Sequence, residues 1–226
     1  ELVRSAPCSV LCVPGRARTI AAVPTHDSTL ISIATDKELS GSSVGVLWKS
    51  KGRTTRTVGD LRRDLLERLY DQMLNQRFGE LALKPETPFV GAGAGGGSFV
   101  RNSEYYSLDA QAKEGRLLES LQSLLIEAER VRRHGFLAAE LEREKTNTLR
   151  GYERAYQERD KTPSDAFVDE YIDHFLQGEA IPGIAFEYAA MQRLLPTVTV
   201  AEVNALGAGR VGEANRVVTV SLPEKD

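Results

Sequence analysis

Histidine and cysteine, two side chains that often act as bases, nucleophiles or metal ligands, are few and dispersed in this chain. The histidines are His26, His134 and His174, and none belongs to a His-x-x-Glu-His pattern. In that pattern two imidazoles lie one helical turn apart and bind zinc, while the Glu activates the metal-bound water. We therefore expect structural roles for all three, with His134 near a helix C-terminus, where an imidazolium interacts favourably with the helix dipole.

The two cysteines, Cys8 and Cys12, form a single Cys-x-x-x-Cys pair. A zinc site needs three or four ligands, so half-buried strand or loop positions explain the pair better than a redox or metal role. If the intervening residues are extended, the side chains share a face but lie about 13 Å apart. A disulfide between them would therefore require a bend.

Gly91, Gly93 and Gly96 match the spacing of a dinucleotide-binding loop and follow a predicted strand. In that loop the third glycine opens a helix whose N-terminus faces the pyrophosphate. Here the chain continues through Ser98 into another predicted strand, and no Gly-Lys-Ser/Thr follows. We interpret the glycines as a strand whose backbone a helix, a neighbouring domain or a bound peptide can approach closely.

Length and composition predict a single domain, residues 1–226. The chain has 226 residues, of which 41% are hydrophobic, and a net charge of −3, which is ordinary for a globular protein. The mixed charge gives no field that would gather nucleic acid, and no apolar run is long enough to cross a membrane. The sequence starts at Glu1 without a signal-like segment, so we expect either a processed chain or a domain excised from a longer protein.

The order of the predicted elements indicates an α+β fold: one antiparallel sheet with helices packed on one face. Alternating apolar residues predict strands, and apolar residues three and four apart predict helices. The predicted strands cover residues 17–23, 28–35, 43–49, 88–100, 103–112 and 215–222. The predicted helices cover residues 58–78, 117–134, 137–159, 163–175, 184–195 and 200–206.

Three helix ends carry specific signals. Thr57 with Asp60, and Thr199 with Glu202, have the spacing of capping boxes, although Asp replaces the usual Glu in the first. Gly135 follows an apolar stripe and predicts a C-cap.

Two further expectations concern the region after that glycine. The carboxylates between residues 140 and 160 are dense on a mostly polar helix, so we predict a solvated face there. Thr162 and Pro163 predict the start of the next helix, with Thr as N-cap and Pro at the first helical position.

Several segments, in their order and spacing, resemble the pitrilysin/insulinase family of zinc peptidases, and within it the bacterial zinc-protease type. The most informative is the stretch from Met73 to Leu81, followed by Pro88-Phe89 and the glycine-rich strand. The others are Val23-Pro24, Thr35-Asp36-Lys37-Glu38, Glu140-Leu141-Glu142-Arg143-Glu144-Lys145 and Tyr152-Glu153.

This resemblance implies a companion domain of a zinc metalloendopeptidase, a hydrolase that degrades or processes peptides. Members pair homologous α+β domains into a clamshell around a chamber, and one domain carries His-x-x-Glu-His with a more distant Glu. The resemblance therefore implies a catalytic partner domain, in cis or in trans, that holds the zinc, and a peptide substrate in the shared chamber. It also suggests a periplasmic or secreted protein, with the cytoplasm as the alternative location.

The family's companion domains often carry an Arg and a Tyr, seven residues apart, that assist the substrate. The positions in this sequence that match that pattern are Ala82 and Phe89, and neither side chain can donate a hydrogen bond. We therefore predict no catalytic, cofactor-binding or metal-binding residue in the segment, which makes it inactive alone. As a hypothesis, Gly93 to Gly97 accept an extended peptide by strand addition. The rival hypotheses are a protein-interaction scaffold related to processing-peptidase or respiratory core subunits, and an unrelated enzyme.

Overall fold

A computed structural model describes residues 21–224, and five strands in that range form one sheet in the order β1-β5-β2-β4-β3. The strands are β1 (Leu30–Asp36), β2 (Ser42–Lys51), β3 (Phe89–Val100), β4 (Ser103–Ala112) and β5 (Arg216–Pro223). The helices in the same range are α1 (Val58–Ala82), α2 (Leu117–His134), α3 (Ala138–Gln157), α4 (Val168–Gln177), α5 (Ile184–Leu194) and α6 (Val200–Arg210).

The predicted α+β class with one sheet is confirmed, and the sheet is mixed. The predicted antiparallel hairpin of β3 and β4 is confirmed, and β4 pairs with β2 and β2 with β5 in antiparallel register as well. β1 instead runs parallel to β5. A parallel pair needs a long connection in place of a tight turn, and here nearly the whole chain supplies it. No local pattern could have indicated that pairing.

One face of the sheet carries the core. Val44 and Val46 in β2 lie opposite Ala110 and Leu108 in β4, and all four side chains are buried. The core continues into the helices through fully buried side chains: Leu69, Tyr70, Met73, Leu74 and Phe78 of α1, with Leu124 and Ala128 of α2. On the opposite face Asp109 and Gln111 are exposed, so the alternation in β4 separates core from solvent.

The capping signals in the sequence are confirmed at both predicted boxes. Thr57 Oγ1 accepts a hydrogen bond from the Asp60 backbone N–H at 3.1 Å, and the Asp60 carboxylate accepts one from the Thr57 N–H at 3.0 Å. The shorter Asp side chain therefore completes the box as Glu does at Thr199, where Glu202 accepts from the backbone N–H at 3.0 Å. Gly135 ends α2 with φ of 71°, a conformation that favours glycine.

The prediction for Thr162 and Pro163 was wrong in position. Neither residue begins an α-helix: Pro163 is extended, a 3₁₀ turn covers Ser164–Phe167, and α4 begins at Val168 without a side-chain cap. The preceding helix, α3, ends at Gln157, and another 3₁₀ turn follows it at Arg159–Lys161. The strand predicted at residues 17–23 and the pair Cys8 and Cys12 lie outside the described residues, except residues 21–23, which have no regular structure.

The predicted solvated face of α3 was also wrong in part, because one of its carboxylates is buried and another binds a different helix. Glu144 is buried and accepts hydrogen bonds from Arg143 and Asn147. Glu140 accepts two hydrogen bonds from Arg77 of α1, at 2.7 and 2.9 Å. A glutamate in a polar run therefore makes a specific contact to a different helix.

Arg77 connects three helices. Its guanidinium binds Glu140 of α3, lies 3.3 Å from Glu127 of α2, donates to the Gly135 carbonyl at 3.2 Å and lies 4.8 Å from the centre of the Phe136 ring. The Glu127 side chain is only 4% exposed, so its charge needs a partner inside the protein.

No helix between residues 21 and 224 combines the length and apolar character needed to cross a membrane.

We expect Arg77→Ala to lower the free energy of unfolding by about 3 kcal/mol, because it leaves Glu127 and Glu140 with fewer compensating charges in the interior. Urea unfolding at neutral pH measures the change. Arg133→Ala is the matched control, since Arg133 pairs with Glu129 on the surface and should cost no more than about 0.5 kcal/mol. Equal losses for the two variants would contradict the assigned role of Arg77.

Candidate functional site

The structure does not bring the three histidines together. His26 precedes β1 and its Nδ1 lies 2.7 Å from the Ser28 carbonyl oxygen. His134 is the last residue of α2, and the Nδ1 of His174 in α4 lies 2.6 Å from the Glu179 carbonyl oxygen. Within residues 21–224, no three or more His, Cys, Asp and Glu side chains are grouped so that they could hold a metal ion. The described residues therefore do not fit the zinc that the family resemblance implies.

The two positions matched to the substrate-assisting pair have structural surroundings. Ala82 is the last residue of α1 and packs against the core. Phe89 begins β3 and is fully buried. Neither side chain is placed to contact a bound peptide through a polar group.

The glycine strand, residues 91–97 of β3, lies at an edge of the sheet. β3 pairs with β4 on one side, and the sheet order places no strand of residues 21–224 on its other side. Asn75 of α1 binds this free edge: its Oδ1 accepts from the Ala94 N–H at 2.6 Å, and its Nδ2 donates to the Ala94 carbonyl at 2.9 Å. One side-chain amide thus makes the pair of bonds that an added strand would make.

Side chains would be tolerated at two of the glycines. A Cβ at Gly91 or Gly95 would meet no atom within 4 Å. At Gly97 it would lie 3.1 Å from the Tyr105 hydroxyl oxygen. Packing within this chain therefore does not require glycine at position 95.

A cavity of about 1120 Å³ lies beside the end of the glycine strand and is the candidate site. It is formed by α1, α4, α6 and the ends of β2, β3 and β4. Charges of both signs line it: Lys49, Lys51, Arg53, Arg63, Arg68, Arg101 and Arg210 with Asp64, Glu67, Asp71, Glu104, Asp173, Glu179 and Glu213. A site of this size and mixed charge suits an extended polar ligand better than a small apolar one.

Arg53 pairs with two carboxylates at one wall of the cavity. It makes a bidentate contact to Glu67 of α1, at 2.8 and 2.9 Å, and its Nε lies 3.0 Å from Glu104 of β4. Burial raises the pKa of Glu67, but Arg53, Arg210 and Arg63 together hold it below its usual value. This wall is therefore charged and fully paired at neutral pH.

Arg210, at the end of α6, lies between two aromatic rings. Its guanidinium carbon is 5.1 Å from the centre of the Tyr70 ring and 4.3 Å from that of Tyr106. Asp71 Oδ1 is 3.1 Å from Arg210 Nη1, and Glu67 Oε2 is 3.8 Å from Nη2. Two carboxylates therefore share this guanidinium, and the Asp71 contact lacks the alignment of a hydrogen bond.

Burial in this cluster shifts the titration of three side chains. It raises the pKa of Asp71 to about 6 despite the attraction of Arg210, and Glu67 raises that pKa further. It raises the pKa of Tyr70 to about 12 and that of Tyr106 as well. Both hydroxyls are buried without a hydrogen-bond partner in the described part of the chain. The two tyrosine hydroxyls are enclosed within the fold, and the cluster contains no nucleophile paired with a base.

Reasoning from the sequence did not find this cluster. Asp71 and Arg210 are far apart along the chain, and the helix predicted at residues 200–206 stops before Arg210. The extension of α6 to Arg210 brings the guanidinium back to α1. Only the packing of α1 against α6 reveals the site.

We expect Asp71→Asn to become more stable relative to the wild-type protein as the pH rises from 4 to 8. The folded-state pKa of Asp71 is raised from 3.8 to about 6, so ionisation above pH 4 costs the wild-type protein stability. At 1.36 kcal/mol per pKa unit the relative gain is up to about 3 kcal/mol. Urea unfolding of both proteins across this range measures it.

Glu129→Gln serves as the control with the opposite sign. Hydrogen bonds from Arg132 and Arg133 lower the pKa of Glu129 to about 2, so its ionised form is favoured in the folded state. This variant should lose stability relative to the wild-type protein as the pH rises through the unfolded pKa. If Asp71→Asn followed the same trend, pairing with Arg210 would outweigh burial.

Comparison with known proteins gives one curated relative and many similar folds. No family model matches the chain. The chain is 29% identical over 182 residues to a zinc protease PQQL-like protein of Arabidopsis thaliana, covering 80% of this chain and 16% of that protein. It therefore spans about one sixth of the length of this relative.

Two solved structures are similar in fold at low sequence identity. The first half of the periplasmic protease PqqL from Escherichia coli superimposes with a TM-score of 0.82 and 14% identity, over 91% of this chain and 44% of that one. A predicted insulinase family protease from Yersinia pestis gives a TM-score of 0.75 and 13% identity, over 94% of this chain and 46% of that one. Sequence and fold thus agree, and the resemblance of this chain to the pitrilysin/insulinase family of zinc peptidases is confirmed.

Proposed function

We propose that this chain is a non-catalytic companion domain of a zinc metalloendopeptidase and one domain, residues 1–226, of a longer protein. The sequence likeness to a zinc protease, in a chain without His-x-x-Glu-His, carries this proposal. The zinc belongs to a catalytic partner domain, in cis or in trans. Because PqqL is a periplasmic protease, the proposed location is the periplasm.

The candidate site gives this companion domain a role in the peptide chamber. The cavity is large and open beside Gly95 to Gly97, which have no side chains to obstruct a peptide. Three of its arginines, Arg53, Arg63 and Arg210, are paired with carboxylates, and the other charged groups around it are available to the polar groups of a peptide. In this proposal the chain contributes a wall of the chamber, and the partner domain cleaves the peptide.

The glycine strand is the proposed contact for the peptide. An extended peptide can add to an exposed sheet edge through main-chain hydrogen bonds. Asn75 already occupies the edge groups of Ala94. The peptide therefore pairs beyond Ala94, toward Gly95 to Gly97, where the strand borders the cavity.

We expect the chain alone to leave an unstructured peptide intact, and its mixture with the His-x-x-Glu-His domain of the same protein to cleave it. Cleavage is followed by mass spectrometry, and the zinc content of the dialysed chain should be close to zero. One zinc per chain, or no cleavage by the mixture, would argue against the proposal. Association without cleavage would favour the protein-interaction scaffold.

We expect Gly95→Val to reduce peptide cleavage by the assembled protein several-fold, because the added side chain occupies the space beside the cavity. Gly91→Val is the matched control: it lies in the same strand, its Cβ also meets no atom within 4 Å, and it does not line the cavity. Both variants should melt as the wild-type protein does. Unchanged cleavage by Gly95→Val would rule out peptide binding along this segment.

A further inference from the structure

Helix α4 is oriented with its apolar side toward solvent. Five large apolar residues, which we call the α4 stripe, fall on one continuous arc of the helix: Val168, Tyr171, Ile172, Phe175 and Leu176. Phe175 is 85% exposed and Tyr171 is 61% exposed. The helix has no buried residue, while its polar Asp173 and Gln177 line the charged cavity. This arrangement is the reverse of the usual surface helix.

The rest of the domain holds α4 by its C-terminal end. Arg56 donates hydrogen bonds at 3.1 Å to the carbonyls of Gln177 and Gly178, and the Ala180 N–H donates to the Thr55 carbonyl at 3.3 Å. A helix of ten residues is marginal in water without tertiary packing of an apolar face. Contiguous exposed apolar surface of this kind marks an interaction site.

The charges around the stripe indicate what covers it. Residues 162–192 contain six carboxylates and no Lys or Arg. Burial raises the pKa of Glu187, and the neighbouring Glu170 raises it further against the attraction of Arg68. Two copies of this surface would repel each other, whereas an apolar surface bordered by Lys and Arg would be attracted.

The lengths of the similar structures indicate that a second domain is available to carry this complementary surface. This chain matches 44% of the PqqL half and 46% of the Yersinia pestis protein. Each of those chains therefore contains roughly one more domain of similar length.

We propose that the α4 stripe is the docking surface for a neighbouring domain of the same longer protease, which presents an apolar face bordered by Lys and Arg. The inference rests on the proposed function, because it takes this chain to be one domain of that protease. Docking on the stripe places the neighbour against the outer side of α4, whose inner side lines the cavity. The contact therefore closes the cavity wall on that side.

The test divides the longer protease into this chain and the remainder, and measures their association by calorimetry and the hydrogen exchange of α4. We expect the α4 amides to exchange at least about tenfold more slowly in the complex, and Tyr171→Gln with Phe175→Gln to weaken association at least about tenfold, as for aromatic anchors. Leu83→Gln is the matched control, since Leu83 is also 85% exposed but lies outside α4. Asp169→Lys with Glu170→Lys should weaken association too.

Several outcomes would overturn the docking proposal: unchanged affinity of the Tyr171→Gln and Phe175→Gln variant, unchanged α4 exchange, or no association of the wild-type pieces. A dimer of the chain alone that this variant abolishes would assign the stripe to a second copy instead. Unfolding of the isolated variant would show that the stripe packs within the domain. Peptide cleavage by the mixed pieces is measured separately. Cleavage together with unchanged affinity of the Tyr171→Gln and Phe175→Gln variant rejects only the docking surface. Docking of the wild-type pieces without cleavage rejects only the proposed function.

Discussion

The helical layer depends on the largely buried guanidinium of Arg77. It donates two hydrogen bonds to Glu140 of one helix, contacts the nearly inaccessible side chain of Glu127 on another and lies over an aromatic ring. A buried charge of one sign requires the other, because neither can return to water without unfolding. The relative positions of α1, α2 and α3 are therefore set by charge as well as by apolar packing.

The segment that carries the family resemblance is structural in this protein. Asn75 binds the edge of the glycine strand, Arg77 joins the helices, and Phe78 is fully buried in the core. These contacts explain why such a segment is informative about fold and silent about chemistry.

The cavity and the α4 stripe lie on opposite sides of helix α4. The inner side of α4 contributes Asp173 to the charged cavity, and the outer side exposes Phe175. A neighbour that covers the outer side also limits the movement of the inner side. In the proposed assembly, the placement of α4 would link docking of the neighbour to the shape of the cavity wall.

The sequence by itself determined the local elements of this protein. Apolar periodicity, two capping boxes and the glycine at residue 135 were enough to predict the hairpin of β3 and β4 and the helices, apart from the start of α4 and the end of α6, because each signal acts within one or two turns. Tertiary structure alone decided the parallel pairing of β1 with β5, the burial of Glu144 and the meeting of Asp71 with Arg210. These contacts join residues distant in sequence or depend on a second helix, so no spacing along the chain encodes them.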